Sequence, residues 1–333
     1  MQRDSNFEGQ PSRGFSPPTR PELPLFRRLG SDRLLGARSG LGPLPVGRDS
    51  VSNPSSGGTS SPTETMTAER EISVRSDGHA IDCFLAFPPQ GPGRRPAVVV
   101  IHEIFGVDDH IRAVTGRFAA QGYVAAAPNL FTGEIQSLLT PANIGLAMKA
   151  LAQAPPDLRR DPTKFAAFTA TQPPERRPIL EAFGKVTNPV AQAGFAQDLH
   201  AVTRELRQLP EVDPARVGSL GFCFGGAMSA RLATVDPELR AAVIFYGQNP
   251  PLEDVPRIRA SVLGLYGAED PGITGTVPLL AEAMKRSGKS FESRVYPGAK
   301  HAFFNDTRPN FHGESAADAW ERVLRFLREN LGS

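Results

Sequence analysis

The sequence predicts an α/β domain with a mainly parallel central sheet and helices on both faces. Three observations predict it. Short apolar runs rich in Val, Ile and Phe recur along residues 68–333, each too short for a helix. Between them lie segments whose apolar residues return every three or four positions, the period of a helix with one buried stripe. The two kinds alternate, and right-handed crossovers turn that alternation into a parallel sheet covered on both sides.

The elements follow in order. Residues 70–75 and 80–87 read as an antiparallel hairpin around Asp77-Gly78, a dipeptide suited to a tight turn. Residues 96–101 are an apolar run read as a buried strand. Residues 109–121 carry Ile111, Val114 and Phe118 on one helical face and stop at Gly122. Residues 123–127 are a second buried strand, ended by Pro128. A long helix sets Phe195, Leu199, Val202, Leu206 and Leu209 on one face, and Asp213-Pro214 closes its connection to a strand at 217–222. A helix follows from Gly225. Strands are expected at 241–246, 261–266 and 291–296, with a helix near 277–287 between the last two. The final helix is expected to turn Ala317, Trp320, Val323, Leu324, Leu327 and Leu331 inward.

Two stretches depart from this rhythm. Gly, Pro and Ser make up 29 of residues 1–65, and no hydrophobic period persists there. Such a stretch cannot bury enough apolar surface to offset its ordering entropy, so residues 1–67 are expected to be a disordered segment before a domain at 68–333. The segment lacks the apolar core of a secretory signal, and Met66 offers an alternative start. Residues 134–192 are too long for an ordinary connection. Helical pieces at about 141–153 and 175–184, divided by Pro155-Pro156 and Pro173-Pro174, suggest a helical insertion or lid beside the site.

Composition narrows the function. The net charge of the 333 residues is +2. Residues 1–65 hold eight Arg against six acidic residues, which leaves 29 basic and 29 acidic residues in the remainder. A neutral domain gives no reason to expect nucleic acid or an anionic membrane as partner. No apolar run approaches the ~18 residues of a membrane span. Cys83 sits in a strand-like run and Cys223 at a glycine-flanked turn, so a disulfide between them is not expected. Free thiols suit a reducing compartment, and the expectation is a cytoplasmic monomer acting on a small molecule. His102, His110, His200 and His312 have no metal-ligand spacing and read as ordinary loop or helix residues. The chemistry calls for no metal or organic cofactor.

Gly221-Phe222-Cys223-Phe224-Gly225-Gly226 carries the most information. A buried strand enters a tight turn and then a helix, with glycine on both flanks. This is the pattern of a nucleophile elbow, with Cys in place of the commoner Ser. The start of a helix favours a thiolate through its dipole and free N–H groups. Asp270 follows one strand and His301 another, and ligands in parallel sheets bind beyond these carboxyl ends. The order nucleophile, acid, histidine is that of α/β-hydrolases. His301 can take the thiol proton, and Asp270 can hold the imidazole in its working tautomer. Glu269 competes as the acid, but the place just before Pro271-Gly272 favours Asp270.

Residues from about 70 to 331 resemble the dienelactone hydrolase family, the carboxymethylenebutenolidase-like proteins. His102-Glu103-Ile104-Phe105-Gly106-Val107, the Cys223 turn and His301-Ala302-Phe303 carry the resemblance. It implies an α/β-hydrolase fold and a Cys223, His301 and Asp270 triad that cleaves an ester or lactone through an acyl-thioester. It also implies that Glu103 meets the resting thiol until substrate displaces it. The Phe224 and Ile104 N–H groups would then form the oxyanion hole. An acyltransferase or thioesterase on the same triad, or a non-catalytic binding protein that retains the fold, are the alternatives. Founding members of the family hold a substrate carboxylate with two arginines. Here the matching positions are Gly133 and Asn305, and neither replaces a bidentate guanidinium. Arg159, Arg160, Arg176 and Arg177 in the insertion are candidate substitutes.

Overall fold

The computed structural model describes residues 68–89, 93–132, 134–152, 154, 158 and 161–332. The expected disordered segment 1–67 lies outside the described residues. Strands β1 (Ala68–Ser76) and β2 (His79–Phe87) pair antiparallel, with Ser76 opposite His79. Asp77 and Gly78 between them both have positive φ, 39° and 86°, the backbone a two-residue hairpin requires. Then come β3 (Arg95–Ile101), α1 (Asp109–Ala120) and β4 (Val124–Pro128). Asp108 caps α1 by accepting from the Ile111 N–H at 3.1 Å.

The insertion is mainly helical over its described length. It holds α2 (Glu134–Leu138), α3 (Pro141–Ala152), α4 (Pro162–Ala170) and α5 (Arg177–Thr187). Its last residues open the long α6 (Pro189–Gln208). The sequence reading missed α2 and α4. Both are short, but α4 carries a local start signal in Asp161-Pro162, where Asp161 accepts from the N–H groups of Thr163 and Lys164.

The second half alternates β5 (Val212–Phe222), α7 (Phe224–Val235), β6 (Ala241–Phe245), β7 (Ser261–Gly267), α8 (Pro271–Thr274), α9 (Val277–Arg286), β8 (Phe291–Tyr296) and α10 (Gly313–Leu331). The eight strands form one sheet in the order β1-β2-β4-β3-β5-β6-β7-β8, parallel from β4 onward. β3 shows why its residues form a central strand. Ala97, Val99 and Ile101 enter the core under α6 and α7, while Val98 and Val100 enter the core under α1 and α10. A strand buried on both faces has no polar side to expose, hence its unbroken apolar run.

Two expectations need correction. Asp213-Pro214 does not end a connection; it lies within β5, where the register with β3 passes from Arg95↔Val212 to Ala97↔Val217. The residues between loop out, so Pro214 withholds no ladder hydrogen bond. In α10 the buried stripe is Ala316, Ala319, Val323, Phe326, Leu327 and Leu331, and Ala317 is exposed. The expected stripe followed Trp320, but that ring is only half-buried. It lies at the stripe's edge, 4.7 Å from Phe118 and beneath the Arg117 guanidinium at 4.2 Å. Among the described residues no helix is long and apolar enough to cross a membrane.

Candidate active site

The turn between β5 and α7 sets Cys223 at φ 56°, ψ −111°, outside the favourable regions for a side chain. Such a conformation costs of order 1–3 kcal/mol and persists only where its surroundings hold it. Cys223 N–H donates to Phe245 O at 3.0 Å, and Cys223 O accepts from Ala227 N–H at 3.1 Å. The flanking glycines are required by close approach. A Cβ on Gly221 would lie 2.0 Å from Gly225 O, and one on Gly225 would lie 2.2 Å from Ile101 O. The helix start is therefore pressed against the end of β3, with the partly exposed thiol at its tip.

His301 stands in the loop after β8, followed by Ala302 at φ 64°. Its Nδ1 lies 2.6 Å from Asp270 Oδ2. Cys223 is the ring's other close polar neighbour, and with Nδ1 taken by Asp270 the Nε2 is left for the sulfur. Burial alone would push the imidazole pKa down. The Cys223 sulfur, then the Asp270 bond, outweigh it and raise the pKa to about 10. The sulfur on one side and the carboxylate on the other thus both favour the charged form of the ring. Asp270 opens α8 without using its side chain as a cap, so the carboxylate is free for His301. Glu269, the competing acid, is exposed and makes no such contact.

Glu103 lies at the end of β3 with 3% of its surface exposed. Asn305 Nδ2 donates to Glu103 Oε2 at 2.6 Å. Asn305 is wholly buried, and its Oδ1 accepts from the Thr307 N–H at 3.0 Å and Oγ1 at 2.7 Å. Those two donors fix the amide, so its NH₂ faces the carboxylate. Burial raises the Glu103 pKa, against the Asn305 bond and the positive charges of Arg308 and His301. The position that lacks the family's arginine thus has a definite task, one that only the fold reveals.

The Ile104 N–H donates to no backbone acceptor among the described residues. The Phe224 N–H belongs to the first residue of α7 and so has no helical acceptor. Phe131, Phe195 and Phe224 form an aromatic wall, with centroids 5.2–6.1 Å apart. Sequence reasoning missed Tyr246. It is fully buried at φ 40°, with its ring 5.1 Å from that of His301 and its hydroxyl unpartnered. Its only sequence signal is a bulky residue at a strand's carboxyl end before Gly247.

Gly133, Arg159 and Arg160 lie outside the described residues. Arg176 and Arg177 are exposed on the insertion, and Arg177 Nε is bound to Gln172 O at 2.8 Å. No group of three or more His, Cys, Asp and Glu suited to a metal ion occurs among the described residues. Cys83 is a buried, free thiol pushed up to about 12, chiefly by burial.

Residues 81–331 match the model of the Dienelactone hydrolase family. A Saccharolobus solfataricus protein named "Putative carboxymethylenebutenolidase" is 38% identical over 261 residues, covering 78% of this chain and 98% of that protein. An Escherichia coli K12 protein of the same name is 30% identical over 271 residues, covering 78% and 86%. Among solved structures, a "Putative Dienelactone Hydrolase" from Klebsiella pneumoniae superposes with a TM-score of 0.58 at 30% identity, covering 79% of this chain and 99% of that one.

Proposed function

The chain belongs to the dienelactone hydrolase family and is a carboxylic-ester hydrolase of that type, and on that footing we propose that Cys223 is its nucleophile, working with His301 and Asp270 through an acyl-thioester. One observation carries the reading: His301 sits between the Cys223 sulfur and the Asp270 carboxylate, 2.6 Å from the latter.

The cycle has two steps. The Cys223 thiolate attacks the substrate carbonyl, and the oxyanion is held by the N–H groups of Phe224 and Ile104. As the carbon–oxygen bond breaks, the His301 imidazolium gives its proton to the departing oxygen, leaving a thioester on Cys223. In the second step neutral His301 takes a proton from water, and the hydroxide attacks the thioester. The thiolate leaves, the acid is released and the imidazolium is restored. Asp270 holds Nδ1 throughout and stabilises the charged ring. Glu103, held by Asn305, lies close enough to His301 to interact with its charge.

The nucleophile selects the substrate. A thiolate leaves a tetrahedral carbon readily, so a poor alcohol leaving group loses the partition. Lactones with enol leaving groups and activated esters are therefore the expected substrates. With Gly133 and Asn305 where the family's founding members have arginines, a free carboxylate on the substrate is not required. Assaying the protein and Cys223→Ala against lactones and activated esters, with and without a terminal carboxylate, tests this. Enol lactones and p-nitrophenyl acetate should turn over only in the unaltered protein. Full activity in Cys223→Ala overturns the assignment.

A further inference from the structure

His102 reads as an ordinary histidine in the sequence, and the cycle above does not use it. It is completely buried. Its Nε2 accepts from the Leu130 N–H at 3.1 Å, and its Nδ1 lies 2.5 Å from Glu103 O. A backbone N–H can only donate and a carbonyl can only accept. Nε2 is therefore bare, and Nδ1 carries the proton and donates it to Glu103 O. Burial lowers the ring's pKa to about 4, so this neutral tautomer persists at working pH.

The carbonyl that His102 holds belongs to the peptide whose N–H is that of Ile104. In a planar trans peptide the two groups point in opposite directions, so fixing one fixes the other. The Gly106 N–H also donates to Glu103 O, at 3.4 Å. The ring itself has no room to swing. It stacks on Phe224 at 5.9 Å and meets Phe131 edge-on at 4.7 Å. The residue that supplies the second oxyanion donor is thus packed against the ring that orients the first.

We infer that His102 is a positioning residue for the oxyanion site, holding the Glu103–Ile104 peptide so that the Ile104 N–H faces the oxygen of the attacked carbonyl. Both ring nitrogens are bound to backbone, so His102 does not touch substrate. The inference rests on the reading of Ile104 as an oxyanion donor in a Cys223 hydrolase.

The test compares two reactions of the same sulfur in the full chain. Acylation by p-nitrophenyl acetate builds an oxyanion; alkylation by iodoacetamide displaces iodide and builds none. In His102→Leu, acylation should slow about 100-fold or more, the scale of one lost oxyanion donor. Alkylation of Cys223 should stay within about twofold, since no oxyanion hole is involved. His102→Asn places an amide N–H close to where Nδ1 stood, and should recover at least about tenfold of the lost acylation rate. Equal falls in both reactions, or unchanged acylation in His102→Leu, overturn the inference. If His102→Leu does not fold, His102→Asn decides. A selective fall in its acylation rate, with alkylation held within about twofold, supports the inference; equal falls in both reactions, or no fall in acylation, overturn it. If the unaltered protein is alkylated at Cys223 but never acylated, the hydrolase reading falls, and this inference with it.

Discussion

Asn305→Ala should destabilise the fold, and by an amount that depends on pH. The substitution removes the 2.6 Å hydrogen bond from Nδ2 to Glu103 Oε2, between residues 0% and 3% exposed. A hydrogen bond to a charged group contributes ~1.5–3 kcal/mol, and water does not replace it at this depth. Burial already raises the Glu103 pKa above its ordinary 4.5, and Asn305 opposes that rise. Without Asn305 the pKa climbs further. A carboxyl with a raised folded pKa contributes stability that is complete below 4.5 and lost as pH increases through the folded value. The variant should therefore lose more at pH 8 than at pH 5, up to about 3 kcal/mol, because higher pH favours the bare carboxylate. At pH 5 the loss should move toward the ~0.5–1.5 kcal/mol of a bond between neutral groups, because lower pH favours the protonated carboxyl. Urea unfolding followed by circular dichroism at the two pH values measures this. An equal loss at both, or a loss below about 0.5 kcal/mol at pH 8, refutes the account of Asn305.

Four further outcomes are expected. Iodoacetamide at neutral pH should label Cys223 and leave Cys83 untouched, because Cys83 is buried and its pKa is pushed up to about 12; peptide mapping reads the sites. The kcat/KM of the unaltered protein should fall as pH rises through about 10, where His301 loses the proton it gives to the leaving oxygen. Cys223→Ala should bring the His301 titration, followed by NMR, down from there, since the sulfur is the strongest influence raising it. Asp270→Asn should lower kcat about 100- to 10,000-fold with a smaller change in KM, because a neutral partner at Nδ1 no longer stabilises the imidazolium; steady-state kinetics on p-nitrophenyl acetate checks it.

What the sequence made legible follows from the reach of each signal. The strands and most helices rest on local apolar periodicity, and β3, β5 and α6 lie close to where that pattern puts them. The Cys223 turn was legible because two glycines within five residues record a close backbone approach. The short α2 and α4 of the insertion were not legible, since short helices packed on one another need little periodicity. The α10 stripe was misplaced because Trp320 is large enough to look buried yet lies at the edge under Arg117. The ties between distant parts were beyond sequence reading. Nothing near Asn305 announces that it binds Glu103, 202 positions away. Nothing in His102 announces that its ring is held by Leu130 and holds its own neighbour's carbonyl.

Rapid-quench mass spectrometry of the protein mixed with p-nitrophenyl acetate tests the central claim most directly. An acetyl group should appear on the peptide that contains Cys223 as fast as the first p-nitrophenol is released, and then decay to free thiol with release of acetate. Steady turnover with no acetyl on that peptide at any time would contradict the thioester route, however well the sulfur and imidazole are placed.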